Sequence, residues 1–155
     1  MSLPWFLGRI GRPLFFLVFL ALGAGVAQAK ELKIESKLIW GTNDEKPPRK
    51  EHEPVDEVTA AKLRKVFKWK NYFVEKTVTG TVPSRGSNQF KMSNKSTIEI
   101  TELEGPEVEV KLIRNGQPVH KAMKEIRKGE WFVYTGDDDK HECSWFVIIT
   151  ELDEK

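Results

Sequence analysis

The sequence predicts a mainly β domain, an antiparallel β-sandwich or partly open barrel carrying one short α-helix, preceded by a helical signal peptide. Three observations predict it. Trp145, Phe146, Val147, Ile148 and Ile149 form the longest unbroken apolar run beyond the first 29 residues, with Asp137, Asp138 and Asp139 before it and Asp153 and Glu154 after. Such a run of β-branched and aromatic side chains, too short for a helix of normal length, is expected to be a strand covered on both faces. Elsewhere apolar residues fall on alternate positions in about eight short runs separated by turn formers, the period of strands with one buried face. One stretch, Asp56 to Val66, has helical spacing behind a capping residue.

The chain begins with Arg9 and Arg12, an apolar run from Leu14 to Leu22, small residues, and Ala27-Gln28-Ala29. That order is the pattern of a secretory leader cleaved after Ala29. The stretch from Pro13 to Val26 is 14 residues long, short of the roughly 20 that a spanning helix needs, so processing is expected and no membrane span remains afterwards. Removing residues 1–29 from 155 leaves 126, one domain over 30–155 with enough chain for a core. The leader holds two of the 25 basic residues and none of the 23 acidic ones, so the remainder is electrically balanced. Overall charge thus gives no reason to invoke nucleic acid. Cys143 is the single cysteine, which excludes an internal disulfide and leaves packing to hold the domain; its expected role is that of a small buried hydrophobe.

Leu32, Ile34, Leu38 and Trp40 share one parity and predict a first strand ending at Gly41. Residues 42–54 contain no large apolar side chain and predict an exposed charged connector, extended at the prolines, that includes His52. A short helix over 56–66 follows, capped by Asp56, with Leu63, Val66 and Phe67 at i, i+3, i+4 spacing and cations toward its end. Tyr72, Val74, Val78 and Val82 lie on one parity of a long strand over 71–82. Phe90 and Met92, then Ile98 and Ile100, predict two short strands, and Val108, Val110 and Leu112 a half-exposed one. Asn115-Gly116 is the strongest hairpin signal in the chain, because both central residues of the tight turn need positive φ. Glu130 to Thr135 is the last strand before the apolar pentad.

The most unusual composition lies over residues 62–76, where six cations and four aromatics are interleaved with one acid, Glu75. Aromatic faces beside Lys are the means by which proteins hold polyanions, stacking on rings while neutralising charge. Lys62, Lys65, Lys68, Trp69, Lys70 and Tyr72 are therefore the candidate binding residues. The alternative on the same residues is that the aromatics are core and the lysines guard a strand edge. Asp137 to Lys155 carries a net −5 against +5 over 62–76.

No short catalytic signature is present: serine elbows, phosphate loops, paired-cysteine zinc spacings and helix-borne His pairs are all missing. His141 and Cys143 sit two apart on one strand, about 7 Å between side chains, too far for a nucleophile and base. Asp137, Asp138, Asp139 and Glu142 lack the spacing of a calcium loop and are expected to be a solvated acidic turn. No metal and no cofactor is assigned. The expectation is a non-catalytic binding or assembly module of the cell envelope, exported to the periplasm or beyond, whose partner is a protein or an envelope polymer. A polyanion or glycan binder acting through 62–76 is the first alternative, and an enzyme without a recognisable motif the second.

Overall fold

A computed structural model of the chain describes residues 31–138 and 142–152. The expected leader and the turn around Asp139 and His141 lie outside the described residues, as do the side chains of Asp137 and Asp138. Among the described residues there are nine strands and one helix: β1 (Leu32–Thr42), β2 (Glu53–Pro54), α1 (Glu57–Val66), β3 (Asn71–Val82), β4 (Ser87–Lys91), β5 (Ser96–Glu102), β6 (Glu107–Arg114), β7 (Gln117–Glu125), β8 (Trp131–Asp138) and β9 (Cys143–Glu151). They form two sheets, in the orders β2-β3-β1-β9-β8 and β4-β5-β6-β7, and every pairing is antiparallel. The domain is mainly β, as the alternation requires. None of its described helices is long and apolar enough to cross a membrane.

The apolar pentad occupies an inner strand of the first sheet. β9 lies between β1 and β8, and its two parities enter different cores. Val147 and Ile149 join Ile34, Leu38, Ile98, Ile100, Val108 and Val110 between the sheets. Phe146 and Ile148 point the other way, into a cluster with Ile39, Ala60, Leu63, Trp69 and Tyr72 beneath α1. A run apolar at every position is what a strand between two cores demands.

α1 starts where its cap predicts. The Asp56 carboxylate accepts from the Thr59 backbone N–H at 2.9 Å, and this bond holds its pKa below the usual carboxylate value. Ala60 and Leu63 are buried, while Val66, expected on the apolar face, is 74 % exposed. The helix ends at Val66, so the next turn is not wound and Phe67 supplies the apolar contact instead, 4.6 Å from the Phe146 ring. In the second sheet Asn115 and Gly116 both have positive φ, 51° and 76°. They close the β6–β7 hairpin as the dipeptide predicts.

β3 departs from simple alternation. Leu38 pairs with Lys76 and Ile39 with Val74, so the ladder skips Glu75. The extra residue is a bulge, which reverses the facing of everything beyond it. Tyr72 and Val74 accordingly pack under α1, while Val78 and Val82 pack between the sheets. One sequence parity serves two faces.

Tyr134 of β8 ties the sheets together. Its hydroxyl donates to the Val110 carbonyl of β6 at 3.0 Å, and burial pushes its pKa up to about 12. A raised pKa favours the neutral phenol in the folded state. This contribution is whole below about pH 10 and is lost as the pH climbs through about 12. Tyr134→Phe is expected to cost about 1 kcal/mol at neutral pH. Denaturant titrations at a series of pH values should show the wild type losing its advantage over the variant above about pH 10; a constant difference would disprove the assignment.

Candidate functional site

Residues 62–76 do not form the surface their composition suggested. Lys62, Lys65, Lys68 and Lys70 are exposed, but Trp69 is only 8 % exposed and Tyr72 only 3 %. Both rings belong to the cluster beneath α1, and burial raises the pKa of the Tyr72 hydroxyl. The aromatics of this segment are core, because the chain leaving the helix must cover Ile39 and Phe146. The lysines act locally: the Lys62 ammonium lies 4.6 Å from the Trp131 ring centre, and that of Lys68 4.6 Å from Trp69. No stacking platform survives among the six candidate residues.

The structure assembles a different site, at one end of the space between the sheets. In the first sheet, register aligns Phe73, Trp40, Trp145 and Gly136 across four neighbouring strands. Trp40 and Trp145 are half-buried. Their row lies one step beyond Leu38 and Val147, which pair across the same two strands. Opposite it the second sheet supplies the Lys91–Ser96 turn and the end of β6 at Arg114. The cleft between them has a volume of about 530 Å3.

Charge in the cleft is one-sided. Arg49, Lys76, Lys91, Lys95 and Arg114 line it against a single carboxylate, Glu75. All five cations are exposed, and among the described residues none of them forms an ion pair. The outer face of the second sheet is the contrast. There Lys111 meets Glu99 at 2.6 Å and Lys121 meets Glu109 at 2.7 Å, and the Lys111 bond lowers the Glu99 pKa. The outer ladder of the second sheet thus pairs its lysines with carboxylates, whereas the cleft sets five cations beside one carboxylate.

Local structure fixes the walls. The Ser93 hydroxyl accepts from the backbone N–H groups of Lys95 and Ser96, at 3.2 and 3.0 Å, and so locks the turn that carries Lys91 and Lys95. Arg114 holds its guanidinium 5.5 Å from the Trp145 ring centre, a cation–π contact that orients it. The Trp145 ring in turn lies across Gly136: a Cβ there would come within 2.3 Å of it. Only glycine leaves room for the indole on β8. The bulge serves the site as well, because it turns the Glu75 carboxylate toward the Trp40 indole, which donates to it at 2.5 Å.

A second cavity, about 690 Å3, opens on the other side of Trp40. It is lined by Thr42, His52, Cys143 and the connector from Asp44 to Arg49. The connector is thus not uniformly exposed: the His52 side chain is 1 % exposed, and Glu53–Pro54 adds to the edge of β3 as β2. Its anchoring is polar rather than apolar, with the Asn71 amide donating to the Asp44 carbonyl at 2.8 Å. His52 Nε2 stands 3.9 Å from Glu75 Oε2, and neither ring nitrogen has a hydrogen-bond partner. Cys143 is buried as expected, at 4 %. Among the described residues no group of three or more His, Cys, Asp or Glu is placed to hold a metal ion. The arrangement is suited to holding an anion against an aromatic wall.

Comparison of the chain with protein-family models, with curated proteins and with solved structures gives no significant match. The site therefore rests on its own geometry. Sequence reasoning missed it because Trp40 and Trp145 become neighbours only through the β1–β9 register, and the five cations come from four separate segments. One signal was available: Trp40 continues the apolar parity of Leu38 at the last step before Gly41, where a core residue begins to emerge.

Proposed function

We propose that the protein is an exported, non-catalytic binding or assembly module of the cell envelope. On this reading residues 1–29 direct export and are removed, and residues 30–155 act as a secreted β-sandwich in the periplasm or outside the cell. The sandwich is favoured over a partly open barrel because, among the described residues, no ladder joins the two sheets. One observation carries the functional reading: five cations, none in an ion pair among the described residues, converge on a cleft floored by Trp40 and Trp145. An excess of exposed cations on one wall attracts a ligand of opposite sign and steers its approach. The partner is a protein or an envelope polymer, and neither metal nor cofactor enters the proposal.

Crosslinking in intact cells followed by mass spectrometry tests it. The expected result is a mature chain beginning at Lys30 whose crosslinks to an envelope component start from the lysines of the cleft. An unprocessed chain recovered in the cytosol, or crosslinks confined to metabolic enzymes, would overturn it.

A further inference from the structure

We infer that the Trp40–Trp145 cleft binds an acidic glycan, a sugar chain carrying carboxylate, sulfate or phosphate groups. The inference rests on the binding-module reading above and names its ligand class. The unpaired cations call for an anion, and the chemistry of the remaining wall selects which kind. Trp40 presents a half-buried indole whose N–H is already committed to Glu75, so what it offers a ligand is an apolar face of fixed orientation. Trp145 carries Arg114 over its ring, which gives the same cleft an oriented guanidinium. Asn94 and Ser96 add an amide and a hydroxyl at the rim. An apolar ring face, a fixed cation and neutral side-chain donors match the apolar faces, acid group and hydroxyls of one acidic sugar residue.

An acidic peptide fits less well. Extended peptides gain affinity by pairing their backbone with an exposed strand edge, whereas this floor lies over β1 and β9, inner strands whose backbone groups are spent within the sheet. The volume of about 530 Å3 lies in the range of small-ligand clefts, roughly 300–1,000 Å3. It holds a few sugar residues of a longer chain rather than a folded partner. An expected exported chain meets acidic polysaccharides and not single-stranded nucleic acid, whose bases and phosphates would otherwise make similar demands.

The test is calorimetric titration of the secreted protein with four probes of similar length: an oligogalacturonate, a sulfated oligosaccharide, polyglutamate and oligo-dT. A neutral galactose oligomer is the reference. At least one acidic oligosaccharide is expected to bind more tightly than all the other probes, by about tenfold or more over the neutral oligomer, with affinity falling as salt rises. The double substitution Lys91→Ala, Lys95→Ala, at exposed positions of the locked turn, should weaken that binding by about tenfold or more with the melting temperature unchanged. Lys65→Ala with Lys70→Ala, on the helix side, should leave it intact. Preference for polyglutamate or oligo-dT, equal binding of the neutral oligomer, indifference to the Lys91 and Lys95 changes, or silence with both acidic oligosaccharides would each overturn the glycan assignment. Failure here leaves the envelope crosslinks standing, so the two readings fail separately.

Discussion

Phe146→Ala is expected to lower the unfolding free energy by about 3–5 kcal/mol, the range for deleting a buried aromatic side chain. The side chain is fully buried and sits where three elements meet. Its ring lies 4.6 Å from Phe67 and 5.8 Å edge-on to Tyr72, and it closes against Gly41, where a Cβ would come within 2.8 Å of it. Truncation leaves a void walled by the residues after α1 and by β1 and β3, whose mutual ladder resists collapse into it. Without an internal disulfide to restrain the unfolded chain, no other covalent link offsets such a loss. Urea unfolding measures it, and Val66→Ala, at a side chain 74 % exposed, serves as the control expected to stay within about 0.5 kcal/mol of wild type. A loss below about 1 kcal/mol at Phe146 would contradict the packing described.

Gly136→Val should cost about 1–3 kcal/mol by overpacking and, unlike the first substitution, should also reshape the cleft. The indole of Trp145 occupies the space that any side chain at position 136 would need. Pushing it aside removes the ring over which Arg114 is held and alters the wall facing Lys91 and Lys95. The change is visible in two ways: a shift in the Trp145 indole N–H resonance, and a loss of affinity for whatever the cleft binds. A variant with wild-type stability and an unmoved resonance would show that the ring does not depend on the glycine.

What the sequence made legible was local. The pentad at 145–149, the Asp56 cap and the Asn115-Gly116 turn each declare themselves within a few residues, because a strand between two cores, a helix start and a tight turn impose their chemistry on adjacent positions. The bulge at Glu75 could not be read in the same way. Tyr72, Val74, Val78 and Val82 keep one parity, and only the pairing with β1 reveals that they part company. His52 shows the same limit, a polar residue in a charged connector that is buried where the connector joins the edge of β3. The aromatic and basic segment misled for a related reason. Trp69 and Tyr72 look like a platform when flanked by lysines, but composition does not say which neighbours rotate toward solvent. The cleft itself was invisible, since its two indoles and five cations are gathered by the folded register.

The crossover within β3 ties the interior into one unit. Because the first part of β3 seals the space under α1 and its last part the space between the sheets, release of the whole strand opens both compartments at once. Melting followed by the buried rings beneath the helix and by Tyr134 between the sheets should therefore trace a single cooperative transition.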